Sequence, residues 1–552
     1  MNKLRGRIAS LTAPEIFMAG TALFVLLYIW ANFFNRHLFN VDMYTDAQMA
    51  ELMWQQGTLF PDGWIFGNQY YVVATPVLAA LIYGVCGDSV LSIGVASTLM
   101  TFAQLLLFVW MIKPFVKRLS LYAGLFAFGG GAILGTSVCL CTTGMQLLYS
   151  MASYYSCYMI GILLVLGVYL RLSGDRAVGP LPVAFSLLMC LGLGVQSLRE
   201  TLVLTIPLVI ADALCKLLTR RSLFCKSSYY AAAAAGANCV GLYLMRRVPA
   251  ITNRSISSFD IPSSFPEILE NMKSAFLDLL DFTGLQFFSY GIKWLPLAVV
   301  SVFIVLASLY AVLRALAVTV RRGHGGETVS PVDFLLLFCA VSLFGVFFVG
   351  AFLGFKIRSI YYFVWLLLAS AAFVSLLENA RSVAVRQSAA LLLLGCGLIN
   401  LFYNAYPDLA QHREQQSLIQ GAAQKLIAEG VDLTYVDCMT YFSSAIAASS
   451  HGQIESATVR IADGGDGHYC LKSWPALVKT AYFTDRDRYN SVVVLSDSRL
   501  SGVSTFDAFN ASPGSEEDIL SKLELMYVES NQYNDFYIYR ILDPSVLGEG
   551  FD

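Results

Sequence analysis

The stretch NVDMYTDAQMAELMWQQGTLFPDGW, which begins at Asn40 directly after the first long apolar run, places two carboxylates four residues apart, Asp42 and Asp46. A carboxylate held at a partly apolar cleft can take a proton from a hydroxyl, so both are candidates for general-base chemistry. Carboxylates near a helix start also cap free amides and meet the positive end of the helix dipole. Residues 44–56 read as helix, so both readings stand, and Trp54, Trp64, Tyr70 and Tyr71 follow closely enough to wall such a cleft.

The elements that must position these acids are set by hydropathy. The chain has 552 residues, of which 57% are hydrophobic and only 13% charged, so the bilayer is its main solvent. A net charge of -2 gives no basic excess of the kind nucleic acid requires. Eleven runs are apolar enough to be read as spans: 15–34, 90–112, 119–138, 155–170, 181–196, 201–217, 227–245, 296–318, 332–354, 359–377 and 388–406. Basic residues fall on one side of these runs, at Lys3, Arg5 and Arg7, at KPFVKR from Lys113, at KLLTRRSLFCK from Lys216, and at Arg321 with Arg322. That side is expected to be the cytoplasm, which puts the N-terminus inside.

The same parity makes the short run from Val72 a shallow or re-entrant helix and the pair flanking SLRE a hairpin, with Arg199 and Glu200 at its outer tip. The first apolar run lacks a small-residue cleavage site and reads as an anchor. The expected architecture is an α-helical polytopic membrane protein of about eleven spans with a C-terminal extracytoplasmic α/β domain. Residues 1–406 form its membrane part, with external loops at 35–89 and 246–295, and residues 407–552 form the soluble domain.

In that tail LAQHREQQSLIQGAAQKLIAEG and SEEDILSKLELM read as helices, and VDLTYVD, SATVRIA, SVVVLSD and DFYIYRIL as strands. Most of the twelve cysteines lie in apolar runs, where Cys behaves as a small apolar residue. Cys438 and Cys470 belong to the tail, where an oxidising compartment allows them either to pair or to stay reduced.

Acidic residues in the first external loop, DAQMAELMWQQGTLFP running into a Trp, and then TPVLAALIYGVCGDSVLSIGVASTL, together resemble the GT-C superfamily of membrane glycosyltransferases. The nearest shapes are the protein O-mannosyltransferases and the lipid A aminoarabinose transferases. The resemblance implies transfer of a sugar from a polyprenyl-phosphate donor to an acceptor hydroxyl on the outer face, with inversion. Asp46 best matches the family's first-loop catalytic aspartate, because Ala50, Glu51, Gly57 and Pro61 keep the spacing after it; Asp42 is the second match. The family often has adjacent acids here, whereas Ala47 follows Asp46. The next external loop, CLCTTGMQLLYSMASYYS, lacks the carboxylate many relatives carry, and the five histidines are scattered, so no metal cofactor is expected.

A donor phosphate needs cations at the outer membrane level, preferably Arg with its planar fork. FKIRSIYY supplies Lys356 and Arg358, with Tyr361 and Tyr362 beside Trp64 as cleft aromatics, although an interfacial anchor has the same composition. Arg199 is the other candidate, against the plainer reading of an Arg-Glu turn. Expected partners are the sugar donor, membrane lipid and an acceptor glycan, lipid or protein, at the plasma membrane. Two other classes stay open: a lipid or sugar transporter or flippase, and a scaffold whose outer domain binds a surface partner.

Overall fold

A computed structural model of the chain describes residues 12–34, 41–67, 69–131, 149, 155–248, 261–285, 295–325, 329–354, 359–402, 406–437, 445–465, 468–473, 478–498, 515–530 and 534–548. The helices run in order as α1 (Ala13–Phe34), α2 (Val41–Gln56), α3 (Thr75–Cys86), α4 (Ser89–Ile112), α5 (Arg118–Phe128), α6 (Ser156–Ser173) and α7 (Pro180–Gln196). A π turn (Thr201–Thr205) leads into α8 (Ile206–Leu218), followed by α9 (Lys226–Met245), α10 (Phe265–Phe282), α11 (Leu295–Gly325) and α12 (Pro331–Leu353). A 3-10 turn (Ser359–Tyr362) then precedes α13 (Val364–Asn379) and α14 (Val383–Asn400).

All eleven apolar runs carry helix. Among the described residues seven helices are long and apolar enough to cross a membrane: α1, α4, α6, the π turn with α8, α11, α12 and α14. The other four of the eleven form helices that are shorter, as in α5, α7 and α13, or less apolar, as in the alanine-rich α9. Of the eleven expected spans, seven are thus matched by helices long and apolar enough to cross a membrane. Burial explains part of this. α6 is buried without interruption from Ser156 to Leu170, and α13 from Val364 to Ser375. A helix apolar all round belongs at the centre of a bundle, where it need not match the thickness of the bilayer. The segment from Thr75 is a 12-residue helix begun by Pro76, short for a span.

α7 and α9 pack backbone to backbone. A Cβ added at Gly241 would lie 2.2 Å from the Leu191 carbonyl, and one at Gly194 2.3 Å from the Asn238 carbonyl. Small residues at such crossings let two apolar helices share close van der Waals contact. Gly236, on the same helix, has nothing within 4 Å of its added Cβ. Gly241→Ala is therefore expected to destabilise the protein by about 1–3 kcal/mol, while Gly236→Ala is neutral or stabilising by up to about 1 kcal/mol. Thermal unfolding of the two variants in one detergent checks the contrast, and equal melting points would contradict it.

Beyond α14, helix α15 (Tyr406–Ala428) leads into a six-stranded sheet, accompanied by the short helix α16 (Ala445–Ser449). Its strands are β2 (Leu433–Asp437), β3 (Glu455–Gly465), β4 (His468–Ser473), β6 (Ser491–Ser498), β7 (Leu523–Ser530) and β8 (Asn534–Ile541). The order is β4-β3-β2-β6-β8-β7, with β3, β2 and β6 parallel and the outer pairs antiparallel. Alternation sorts the strand residues: Val436, Val492 and Val494 pack under Ile419, Ala422 and Leu426 of α15. Leu433, Tyr435, Val493 and Leu495 form the core on the other face. The expected helix SEEDILSKLELM is corrected: helix ends at Ser521, and Leu523 onward pairs with β8 as an edge strand. The ladder offered by β8 outweighs local helix preference there.

The segment after α2 ties the helices to this sheet. Gly63, in the left-handed region at φ 73°, turns the chain into β1 (Trp64–Ile65), which pairs antiparallel with β5 (Val478–Lys479). Thr480 N–H donates to the Gly63 carbonyl at 2.8 Å, and Ile65 is buried in the core of the sheet. From α2 the Tyr44 hydroxyl donates to the Ile454 carbonyl at 2.8 Å and Gln48 Nε2 to the Ser456 carbonyl at 3.3 Å.

Candidate functional site

One polar seat is assembled from four separate segments: the stretch that carries Gln69, the start of α6, the junction of α7 with the π turn, and the 3-10 turn before α13. Coming off β1, the chain crosses the end of α7: Tyr70 N–H donates to the Gln196 carbonyl at 3.0 Å. Val72 and Val73 N–H donate to Gln196 Oε1 at 3.2 and 3.3 Å. This crossing lays Gln69 against the first turn of α6, where the Tyr158 hydroxyl donates to Gln69 Oε1 at 3.0 Å and accepts from Gln196 Nε2 at 3.2 Å. Ser197 Oγ also meets the Tyr158 hydroxyl.

Arg199 closes the seat. Its Nη1 donates to Gln69 Oε1 and its Nη2 to the Tyr361 hydroxyl at 3.4 Å. The guanidinium lies over the rings of Tyr155 and Tyr361, each 5.4 Å from Cζ to the centroid, and those rings meet edge to face at 6.1 Å. Aromatic faces attract a cation and fix its plane. The half-buried guanidinium is thus oriented by an amide, a hydroxyl and two rings.

Glu200 turns the other way. It is fully buried, its carboxyl oxygens have no hydrogen-bond partner among the described residues, and an added Cβ on Gly161 of α6 would lie 2.9 Å from its Oε1. Burial raises this carboxyl well above its usual range and so favours its neutral form. The π turn follows at once, and such widened turns often sit at functional positions.

The remaining sequence candidates fall in different places. Tyr361 walls the seat, whereas Tyr362 is fully buried and donates its hydroxyl to the Ala275 carbonyl of α10 at 2.9 Å, fastening that amphipathic helix. Trp64 is buried in β1 with Lys479 as its strand partner, so its setting is the junction with the sheet. Asp46 is fully buried on α2. It lies two residues from both Tyr44 and Gln48, on the side of α2 opposite their contacts with the sheet and among the buried Met43, Ala47, Met49 and Ala50. Asp42 is on the first turn of α2, but its side chain lies outside the described residues, as do Lys356, Arg358 and Cys438 in full. Cys470 is buried in β4, its Sγ 3.8 Å from the Ala462 carbonyl. Among the described residues no group of three or more His, Cys, Asp or Glu is placed to hold a metal ion.

Sequence reasoning named Arg199 and Tyr361 but missed Gln69, Tyr155, Tyr158 and Gln196. Their signal was present: two glutamines and several tyrosines at the ends of apolar runs, where an unsatisfied amide would be costly. No family model matches the chain, and no curated protein matches it.

Proposed function

We propose that this protein is a membrane glycosyltransferase that moves a sugar, with inversion, from a polyprenyl-phosphate donor to an acceptor hydroxyl of a glycan, lipid or protein. The observation that carries the reading is the Arg199 seat: a guanidinium held over two tyrosine rings where α6 begins and α7 ends, beside a buried carboxyl that makes no hydrogen bond among the described residues. An oriented guanidinium is suited to phosphate oxygens, and the bundle supplies apolar surface for a polyprenyl chain.

In this reading Arg199 neutralises the phosphate as the sugar–phosphate bond breaks, and Arg358 and Lys356, which precede the turn carrying Tyr361 in sequence, add charge to the same group. Asp46, with Asp42 one turn before it, takes the acceptor proton. Asp46 is fully enclosed, so the reading requires α2 to admit the acceptor once the donor is seated. The site faces the outside of the plasma membrane, the N-terminus is cytoplasmic, and the sheet domain, stitched to the first loop through β1, shapes acceptor access.

The test is thermal stabilisation of the detergent-purified protein by a panel of polyprenyl-phosphate sugars, beside free polyprenyl phosphate and ordinary phospholipids. A selective, saturable rise in melting temperature with one sugar-lipid is expected. Equal shifts with all lipids would remove the donor from the account.

A further inference from the structure

A second feature lies at the far end of α8 from Arg199, separated from it by the 18 residues Thr201–Leu218, or about 27 Å of helix. A cavity of about 470 Å³ opens there between the last turn of α6, the end of α8, the 219–225 loop and the first turn of α9. Three cations line it, Lys216, Arg221 and Lys226, against one acid, Asp175. Ser222 and Ser227 also line it.

The opposite wall is apolar, built from Leu172, Val329 and Phe334, with Tyr169 stacked on Phe334 at 4.5 Å. Lys216 is fixed from behind by the buried Asp212 at 2.7 Å, and its Nζ reaches Cys225 Sγ at 2.8 Å and Ser227 Oγ at 3.1 Å. Cys225 stands at the start of α9, so the positive end of a 20-residue helix adds to the cations.

Basic loops of membrane proteins often cluster for topology alone. Such clusters need no cavity, whereas this one combines cations from α8, a loop and α9 with an apolar wall from α6 and α12. We propose that the cavity binds a phosphate ester, its phosphate or pyrophosphate group against Arg221, Lys226 and the first turn of α9 and its apolar part against Leu172, Val329 and Phe334. A phosphate group matches the cation fork and the helix end together. The site is independent of the glycosyl-transfer reading and stands or falls separately from it.

Cys225 supplies the reporter. Burial would raise its thiol, but hydrogen bonds from Lys216, Ser227 and Ser228 outweigh that and bring it down to about 6, so it is a reactive thiolate at neutral pH. Alkylation of Cys225 by N-ethylmaleimide is followed by peptide mass spectrometry in the full-length protein at fixed ionic strength. The probes are inorganic pyrophosphate, phosphatidic acid micelles and phosphatidylcholine micelles.

Occupancy is expected to slow alkylation about tenfold, saturably, because the ligand shields the thiolate and competes for Lys216. Protection by pyrophosphate identifies a soluble phosphate ester, and protection by phosphatidic acid alone identifies a lipid headgroup; either supports the site. No protection by either, or equal protection by phosphatidylcholine, overturns it. In Arg221→Gln/Lys226→Gln, checked for folding by its melting curve, protection must vanish, and its persistence places the ligand elsewhere. Should the double variant fail to fold, each single variant must weaken protection.

Discussion

Asp46→Asn is expected to fold and to bind the sugar-lipid donor as the wild type does, yet to lose about a hundredfold or more in turnover, the scale of removing a general base. Asn keeps the shape of the side chain and removes only its capacity to accept a proton, so the substitution separates chemistry from packing. The distinction matters because Asp46 is fully enclosed on α2, among Met43, Ala47, Met49 and Ala50. A buried carboxylate in such company can hold a helix in place as well as move a proton. A melting temperature that falls in step with activity would assign Asp46 to the packing of α2. Wild-type turnover would remove it from the site, and Asp42→Asn, one turn earlier, is the companion variant in either case.

Arg199→Gln is expected to weaken donor binding by about 10- to 100-fold, since hydrogen bonds to charged groups contribute about 1.5–3 kcal/mol. Arg199→Lys should fall between, keeping the charge while losing the planar fork and its stacking on Tyr155 and Tyr361. Glu200→Gln is the matched control. Burial favours the neutral form of its carboxyl, so the change is expected to leave donor affinity close to wild type. Affinities are read from the donor concentration dependence of the melting temperature. If Arg199→Gln binds like the wild type, the arginine is a structural clamp between Gln69 and the tyrosines.

The helices were the most legible part of the sequence, because a run of twenty apolar residues has few other ways to bury its backbone. What hydropathy does not encode is depth: α6 and α13 are enclosed on all sides, and α5, α7 and α13 are short for a span, yet a window average treats them like the more exposed α11. The parallel strands β2, β3 and β6 read clearly from short runs of β-branched and apolar residues. The edge strand β7 did not, since LELMYVES has half-exposed positions and continues a capped helix in sequence.

The stitch of Trp64–Ile65 onto Val478–Lys479 was illegible for a different reason. Two residues of pairing across more than four hundred positions carry no periodicity. The Arg199 seat shows the same limit. Its cation and one tyrosine could be picked out by type, but Gln69 and Tyr158 become meaningful only after the 66–75 segment is laid over the end of α7.

The central claim is sugar transfer, and the most direct measurement is the fate of a labelled donor. Purified protein is incubated with the polyprenyl-phosphate sugar that raises its melting temperature most, with and without a cell-envelope extract as acceptor. The account predicts release of polyprenyl phosphate coupled to appearance of label on the acceptor, lost in Asp46→Asn and reduced in Arg199→Gln at low donor concentration. A donor that binds selectively and is recovered intact with every acceptor would contradict the transferase reading and make the seat a site for carriage of the lipid.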